Sequence, residues 1–243
     1  MKNLITICAR GGSKGIPGKN IKELNKKPLI YYTIRVAELF AERNPDTDIF
    51  LSTDSSEIED KVNAISKKVY TNYKRPDYLA TDSSGKIDAI KDVLNFAEKF
   101  TKKEYDFIID LDVTSPLRTV EDLEKAKSKL KGNMDALNIF SVSPANRNPY
   151  FNMVEAKKNS EFVELSKKGE FLTRQSAPEV YDMNASFYIY RSNFFKEGYS
   201  TAITDKSLIY KMSHVCFDLD HPLDFYFMEF LIQNNHLDFE FVV

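Results

Sequence analysis

The stretch that decides the fold is Asn3-Leu4-Ile5-Thr6-Ile7-Cys8, followed by Ala9-Arg10-Gly11-Gly12-Ser13-Lys14-Gly15-Ile16-Pro17-Gly18-Lys19-Asn20. The short β-branched run reads as a strand, and a loop rich in glycine and cations leaves its carboxyl end. Open α/β sheets bind ligands at that end of their strands. Glycines let backbone amides turn inward and the cations add charge, so this loop suits a chain of phosphates. Taken alone it also reads as a solvated basic loop. It matches neither common glycine-rich fingerprint: five residues separate Gly12 from Gly18 where a P-loop has four, Lys19 is followed by Asn20, and there is no Gly-x-Gly-x-x-Gly turn.

Outward from this point the chain alternates β-branched runs with helical patterns, which predicts βαβ units and a Rossmann-like, mainly parallel sheet. Further strands are expected at 48–52, 68–71, 106–111 and 135–142. Between them, Leu29, Tyr32, Ile34, Val36, Leu39 and Phe40 form one broad apolar face of a helix over 28–42, with Pro28 at its first position. Thr119 with Asp122 predicts a helix start, a relative of the capping box with Asp in place of Glu. The turn-rich segment from Ser143 leads into short strands at 150–155 and 162–165, an excursion from the sheet. Strands at 184–191 and 208–217 and a helix over 222–234 complete the chain. The expected organisation is one domain with three regions: a nucleotide-binding region over 1–142, an excursion over 143–182, and a return over 183–243 with the last helix. The aromatic cluster Phe225, Tyr226, Phe227 and Phe230 reads as core.

Composition excludes several classes. With 42% hydrophobic and 29% charged residues the chain is that of an ordinary globular protein. A net charge of −2, from 34 basic and 36 acidic residues, lacks the basic excess that nucleic-acid binding needs. No apolar stretch is long enough to span a membrane, and the N-terminal run is too short for a signal peptide. Cys8 and Cys216 sit in apolar runs and read as two buried thiols in a reducing compartment, so the expected location is the cytoplasm.

Five segments in order are similar to those of the CMP-sugar synthetases, the acylneuraminate cytidylyltransferase family. They are Ala9-Arg10 with Ser13-Lys14-Gly15-Ile16-Pro17 and Lys19-Asn20; Ser52-Thr53-Asp54; Arg75-Pro76-Asp77-Tyr78-Leu79-Ala80-Thr81-Asp82-Ser83-Ser84; Thr114-Ser115-Pro116-Leu117-Arg118; and Asp218-Leu219-Asp220. The resemblance implies a nucleotidyltransferase fold with CTP and an acidic nine-carbon sugar of the sialic acid type as substrates. It implies CTP phosphates held by Arg10, Gly11, Gly12, Ser13, Lys14, Lys19 and Asn20, with Arg75 and Ser84 beside the cytosine. Arg10, Lys14, Lys19 and Asp220 are the expected catalytic residues. For the sugar it implies Asp112, Thr114, Ser115, Arg118, Arg174, Gln175, Asp182 and Asn184, with Arg174 a candidate for the carboxylate. Sialic acid members carry Gln where Asp112 stands, and Arg-Pro-Asn-Gly-Ala where this chain has Asp182-Met183-Asn184-Ala185-Ser186. Both changes look more like members that activate legionaminic acid, with Asp112 and Asp182 expected to read sugar donors.

Asp218 and Asp220 alternate on an extended segment, so both carboxylates can reach one hard cation, Mg2+ fitting best. Solvated strand-end acids, or a cap for the helix that follows, are the alternatives. His214 and His236 read as structural, and His221 as a neighbour of the acid pair. The excursion resembles the segment with which family members form a homodimer over the sugar site. A cytidylyltransferase for an eight-carbon keto acid, and a nucleotide-binding module without turnover, are the alternative functions.

Overall fold

A computed structural model describes residues 1–12, 15–81, 83–169 and 171–241. Strand β1 (Asn3–Cys8) opens the chain, and a small hairpin of β2 (Glu23–Leu24) and β3 (Lys27–Pro28) leads into helix α1 (Leu29–Arg43). Then come β4 (Thr47–Ser52), α2 (Ser56–Ile65), β5 (Val69–Tyr70), α3 (Lys86–Thr101), β6 (Phe107–Asp112), α4 (Val120–Gly132) and β7 (Asn138–Pro144). A second hairpin, β8 (Val154–Ala156) with β9 (Val163–Leu165), precedes β10 (Tyr181–Arg191), β11 (Ser207–Lys211) and α5 (Pro222–Gln233).

The main sheet has the order β11-β7-β10-β6-β1-β4-β5. Only β10 runs antiparallel to its neighbours, β6 and β7, and the remaining pairings are parallel. The sheet is therefore the mainly parallel α/β array that the alternating pattern predicts. Burial on both faces explains the near-continuous apolar strands. On β1, Ile5 and Ile7 join the core with α1, α2, α4 and α5, whereas Leu4 joins the core under α3 with Ile87, Ile90 and Val93. That alternation is the two-residue period of a strand between two layers.

Local chemistry sets the helix starts. Thr119 and Asp122 form the expected reciprocal box: Thr119 Oγ1 accepts from the Asp122 amide at 3.1 Å, and Asp122 Oδ2 accepts from the Thr119 amide at 2.8 Å. Pro28 stands one residue before α1, at its N-cap. Strand β11 stops at Lys211, short of the expected run to 217. The cluster near the C-terminus also differs from expectation: Phe225 is buried, but Tyr226, Phe227 and Phe230 are exposed. Helical spacing turns only positions 225, 228, 231 and 232 of α5 inward.

In β10 the pairing with β7 shifts between Met183 and Tyr188, a bulge. Ala185 within it has φ 56°, the left-handed region that disfavours a residue with a Cβ.

Candidate active site

The sheet register gathers the sequence motifs. Cys8 stands opposite Ser52 of β4 on one side and opposite Asp112 of β6 on the other. The loops after β1, β4 and β6 therefore leave the sheet side by side. The loops after β1 and β6 border a cleft of about 630 Å³, lined by Arg10, Gly15, Lys19, Asn20, Arg75, Ser84, Lys86, Asp112, Thr114 and Asp220 among others. Its size is that of a small-molecule site.

At one end the first loop is tied down from three directions. The Gly11 amide donates to Asp54 Oδ1 at 2.8 Å, so the acid of Ser52-Thr53-Asp54 anchors the loop. Asn20, itself buried, donates from Nδ2 to the Arg10 carbonyl at 2.9 Å. Lys19 Nζ donates to the Leu219 carbonyl at 2.7 Å and lies 3.4 Å from Asp220 Oδ1, joining the loop to the acid pair 200 residues later. Gly15 approaches so closely that a Cβ there would sit 2.9 Å from the Asp220 carbonyl oxygen. Gly12 is exposed beside these anchors. Ser13 and Lys14, expected in the same cradle, lie outside the described residues.

Arg75 and Ser84 also line the cleft. The Arg75 guanidinium is buried and donates to Ser52 Oγ at 3.0 Å and the Ser52 carbonyl at 3.1 Å. Ser84 Oγ donates to the Tyr78 carbonyl at 2.6 Å, closing the loop before α3.

Asp218 and Asp220 fit a hard cation. Burial, and then the negative charge of Asp220, push the Asp218 carboxyl above its ordinary value, as expected for two acids held close together. The helix-cap alternative is filled by Asp224, whose Oδ2 accepts from the amides of Asp220 and His221 at 2.8 and 2.6 Å. Among the described residues no group of three or more His, Cys, Asp or Glu is arranged around a common point. Mg2+ typically takes one or two carboxylates and completes its shell with water and phosphate oxygens, which suits a pair.

Several expected sugar contacts are placed elsewhere. Arg118 is fully buried and donates to the carbonyls of Ser186 and Asp112 and to Thr33 Oγ1, so it binds β6, β10 and α1 together instead of facing the cleft. Ser115 is fully buried and bonded to the Phe217 carbonyl. Asn184 is likewise buried: its Oδ1 accepts from Ser141 Oγ at 2.6 Å and its Nδ2 donates to Ser143 Oγ at 2.9 Å. Arg174, Gln175 and Asp182 are exposed on the excursion or at its junction with β10, and none of them lines the cleft. Arg174 donates to the Asn146 carbonyl.

Asp112 and Thr114 do line the cleft. The acceptors of Asp112 are already engaged: Oδ1 accepts from the Thr114 amide and hydroxyl, both at 2.9 Å, and Oδ2 from Lys86 Nζ at 2.8 Å. Burial would raise its carboxyl, but Lys86 and the Thr114 donors outweigh that and hold it at about 2. The structure thus places Asp112 in the cleft wall, bonded to Lys86 and Thr114.

A model of the cytidylyltransferase family matches residues 4–238. The chain belongs to the cytidylyltransferase family. It is 41% identical over 237 residues to a CMP-N,N'-diacetyllegionaminic acid synthase of Campylobacter jejuni, a match covering 96% of each chain. It is 39% identical, again over 96% of each, to the post-translational flagellin modification protein B of Campylobacter coli. An N-acylneuraminate cytidylyltransferase of Streptococcus agalactiae is 30% identical over 93% of this chain and 52% of its own. Among solved structures, a CMP:2-keto-3-deoxy-manno-octonic acid synthetase complexed with CTP superposes with TM-score 0.68 at 18% identity, covering 97% of this chain and all of that one. The cytidylyltransferase is thus a nucleotidyltransferase of acylneuraminate type, and the shared fold extends along its whole length.

Two cleft residues of this cytidylyltransferase stand outside the motifs. Lys86, the first residue of α3, reaches across to Asp110 and Asp112, its Nζ 2.8 Å from one carboxylate oxygen of each. Asp110 is fully buried. The available signal was an acid on the same strand face as Ile108, inside an apolar run: a buried acid requires a cation. Cys8 also borders the cleft and is only partly buried, unlike Cys216; burial, then Asp110, push its thiol up to about 12, which keeps it a neutral wall group. No helix among the described residues is long and apolar enough to cross a membrane.

Proposed function

We propose that this cytidylyltransferase activates a nine-carbon 2-keto acid sugar with CTP, giving the CMP-sugar and pyrophosphate, with N,N'-diacetyllegionaminic acid or a close relative as the sugar. The observation that carries this reading is the convergence of four motif loops on one cleft, with the basic first loop at one end bonded directly to the Asp218–Asp220 segment. The 41% identity to a legionaminic acid synthase supports the choice of sugar.

In this reading the anomeric hydroxyl oxygen of the sugar forms a bond to the α-phosphorus of CTP, the bond from that phosphorus to the β-phosphate bridging oxygen breaks, and the hydroxyl proton leaves to solvent. Arg10, Lys14, Lys19 and the loop amides hold the triphosphate and stabilise charge on the departing pyrophosphate. Arg75 and Ser84 bound the base. Asp218 and Asp220 would hold Mg2+, which supplies charge stabilisation on the phosphate oxygens.

The partner is a second copy of the chain. The β8–β9 hairpin exposes Val154, Phe162, Val163 and Leu165, a set of apolar side chains that a homodimer would cover. Arg174, Gln175 and Asp182 lie on or beside that excursion, where they would meet the sugar across the interface. Reaction in the cytoplasm, where CTP is made, fits two unpaired cysteines.

Incubation with CTP, Mg2+ and a panel of nonulosonates tests the activity: pyrophosphate is released with at least one sugar, and kcat/KM is higher for N,N'-diacetyllegionaminic acid than for N-acetylneuraminic acid. Asp220→Asn, and to a smaller degree Asp218→Asn, abolishes turnover in a protein with unchanged circular dichroism. Release with no sugar of the panel sinks the assignment, and near-normal activity of Asp220→Asn at low Mg2+ sinks the metal role. Sedimentation showing only monomer at micromolar concentration refutes the dimer.

A further inference from the structure

The face of the sheet under α3 changes character along its length. Near the amino ends it is apolar, with Leu4 of β1 and Ile108 of β6 in the core. Two and four residues on, the same face carries Thr6 and Cys8 on β1 and Asp110 and Asp112 on β6, since alternate residues share a face. Tyr188 of β10 stands opposite Asp110 in the register. The Lys86 side chain descends onto this polar end from the first residue of α3, with Nζ 5.0 Å from the centre of the Tyr188 ring.

The cluster is built to hold that ammonium in one place. Asp110 Oδ1 accepts from Thr6 Oγ1 at 2.8 Å, which orients the buried carboxylate. Its Oδ2 lies 2.8 Å from Lys86 Nζ yet takes no hydrogen bond, so the contact is an ion pair without aligned geometry. The bond from Lys86 to Asp112 Oδ2 is aligned. An ammonium has three donors, and this one aligns one of them with Asp112. Burial would push Lys86 down, but the two carboxylates hold it well above the ordinary lysine value, so it stays a cation. Its side chain remains 35% exposed, at the cleft wall.

The two carboxylates are balanced by Lys86 and by Arg118, which is bonded to the Asp112 carbonyl, so the cluster offers phosphate no excess positive charge, and the Arg10 and Lys19 loop receives it. A neutral acceptor oxygen suits it, because the ammonium can donate without a second charge being buried. The acceptors a CMP-nonulosonate synthetase meets are the cytosine carbonyl and the sugar's hydroxyl and acylamino oxygens. Ser84 stands two residues before Lys86, but the Lys86 ammonium is carried toward β6 and β10, against Asp112 and the Tyr188 ring, on the part of the cleft lined by Thr114.

We propose that Lys86 is a specificity-determining residue of the sugar end, donating a hydrogen bond to an acylamino carbonyl oxygen of the nonulosonate, with Asp110 and Asp112 as its positioning residues. This rests on the activity proposed above. It also recasts the acid at position 112: the change from Gln to Asp installs a lysine donor in the cleft in place of an amide.

Removing Lys86 alone would leave Asp110 buried and unpaired, so the test uses Lys86→Met combined with Asp110→Asn, which removes the donor and the orphaned charge together, alongside Lys86→Arg and Asp112→Asn. Folding is checked by circular dichroism and CTP affinity by calorimetry, and initial rates are taken with N,N'-diacetyllegionaminic acid and with analogues bearing hydroxyl at one or the other acylamino position. Loss of a hydrogen bond from a charged donor is expected to lower kcat/KM for the diacetyl sugar about 10- to 100-fold. One analogue, that lacking the acyl group read by Lys86, is expected to fall by about threefold or less, and CTP affinity to stay within about twofold. Lys86→Arg recovers part of the loss, and Asp112→Asn lowers kcat/KM in the same direction through KM for the sugar. Equal losses for the diacetyl sugar and every analogue, or weakened CTP binding with the sugar KM unchanged, overturn the proposal. Failure of the activity itself is distinguishable, because wild type would then release no pyrophosphate with any nonulosonate.

Discussion

Replacing Arg118 by Met should cost the protein about 3 kcal/mol, because this side chain is used wholly inside the fold. The guanidinium is fully buried, and burial lowers it to about 10, so it is still charged at neutral pH. It donates to four acceptors: the Ser186 carbonyl and hydroxyl, Thr33 Oγ1 and the Asp112 carbonyl. The two hydroxyls have other partners, Thr33 with the Asp112 carbonyl at 3.3 Å and Ser186 with the Ser115 carbonyl at 2.9 Å. The Ser186 carbonyl loses a charged donor in a dry interior and the Asp112 carbonyl keeps only the long bond from the Thr33 hydroxyl, at about 1–3 kcal/mol each. Some of that is offset because the mutant no longer desolvates a guanidinium. For a chain of 243 residues a loss of this size lowers Tm by about 6–12 °C. Urea unfolding followed by far-UV circular dichroism measures it, with an unchanged m value showing that the unfolded state is unaltered. Arg118→Lys, whose single ammonium cannot bridge both carbonyls, should recover little. A loss below about 1 kcal/mol with unchanged m would refute the reasoning, since it would mean the carbonyls find other donors.

Two further outcomes follow from local chemistry. His214 Nε2 lies 2.9 Å from Asp122 Oδ2; burial alone would lower the imidazole, but the bond to Asp122 and the Val215 carbonyl outweigh it and raise its pKa. A raised folded value contributes stability that is fully present below the unfolded value of about 6.5 and is lost as pH rises through the folded value. Urea midpoints of wild type should therefore fall relative to His214→Gln across that window, and parallel profiles would remove the linkage. Ala185→Gly should stabilise by about 1 kcal/mol, because φ 56° strains a residue bearing a Cβ. An unchanged or lowered urea midpoint for that variant contradicts the strain.

What could be read from the chain, and what could not, divides along one physical line. Strand β1 and its loop were readable because periodicity and glycine content are local, and the register that sets Cys8 beside Ser52 and Asp112 follows once the strands are parallel and the motifs begin where they end. Thr119 and Asp122 were readable for the same reason, since a capping box spans four residues. Side-chain direction is not local. Arg118 and Asn184 occur in motif segments that border a substrate, yet one points into the junction of three elements and the other into a bulge between β7 and β10. Lys86 and Asp110 are not legible as a pair because they are 24 positions apart and neither is unusual alone; a lysine at a helix start and an acid in a strand acquire meaning only when the sheet face puts them 2.8 Å apart. The same holds for Asp112, which as a lone acid reads as an acceptor for sugar donors and, bonded to Lys86 and Thr114, is also the support of a donor. A change of sign in what the cleft offers its substrate thus depends on a partner that no motif around position 112 contains.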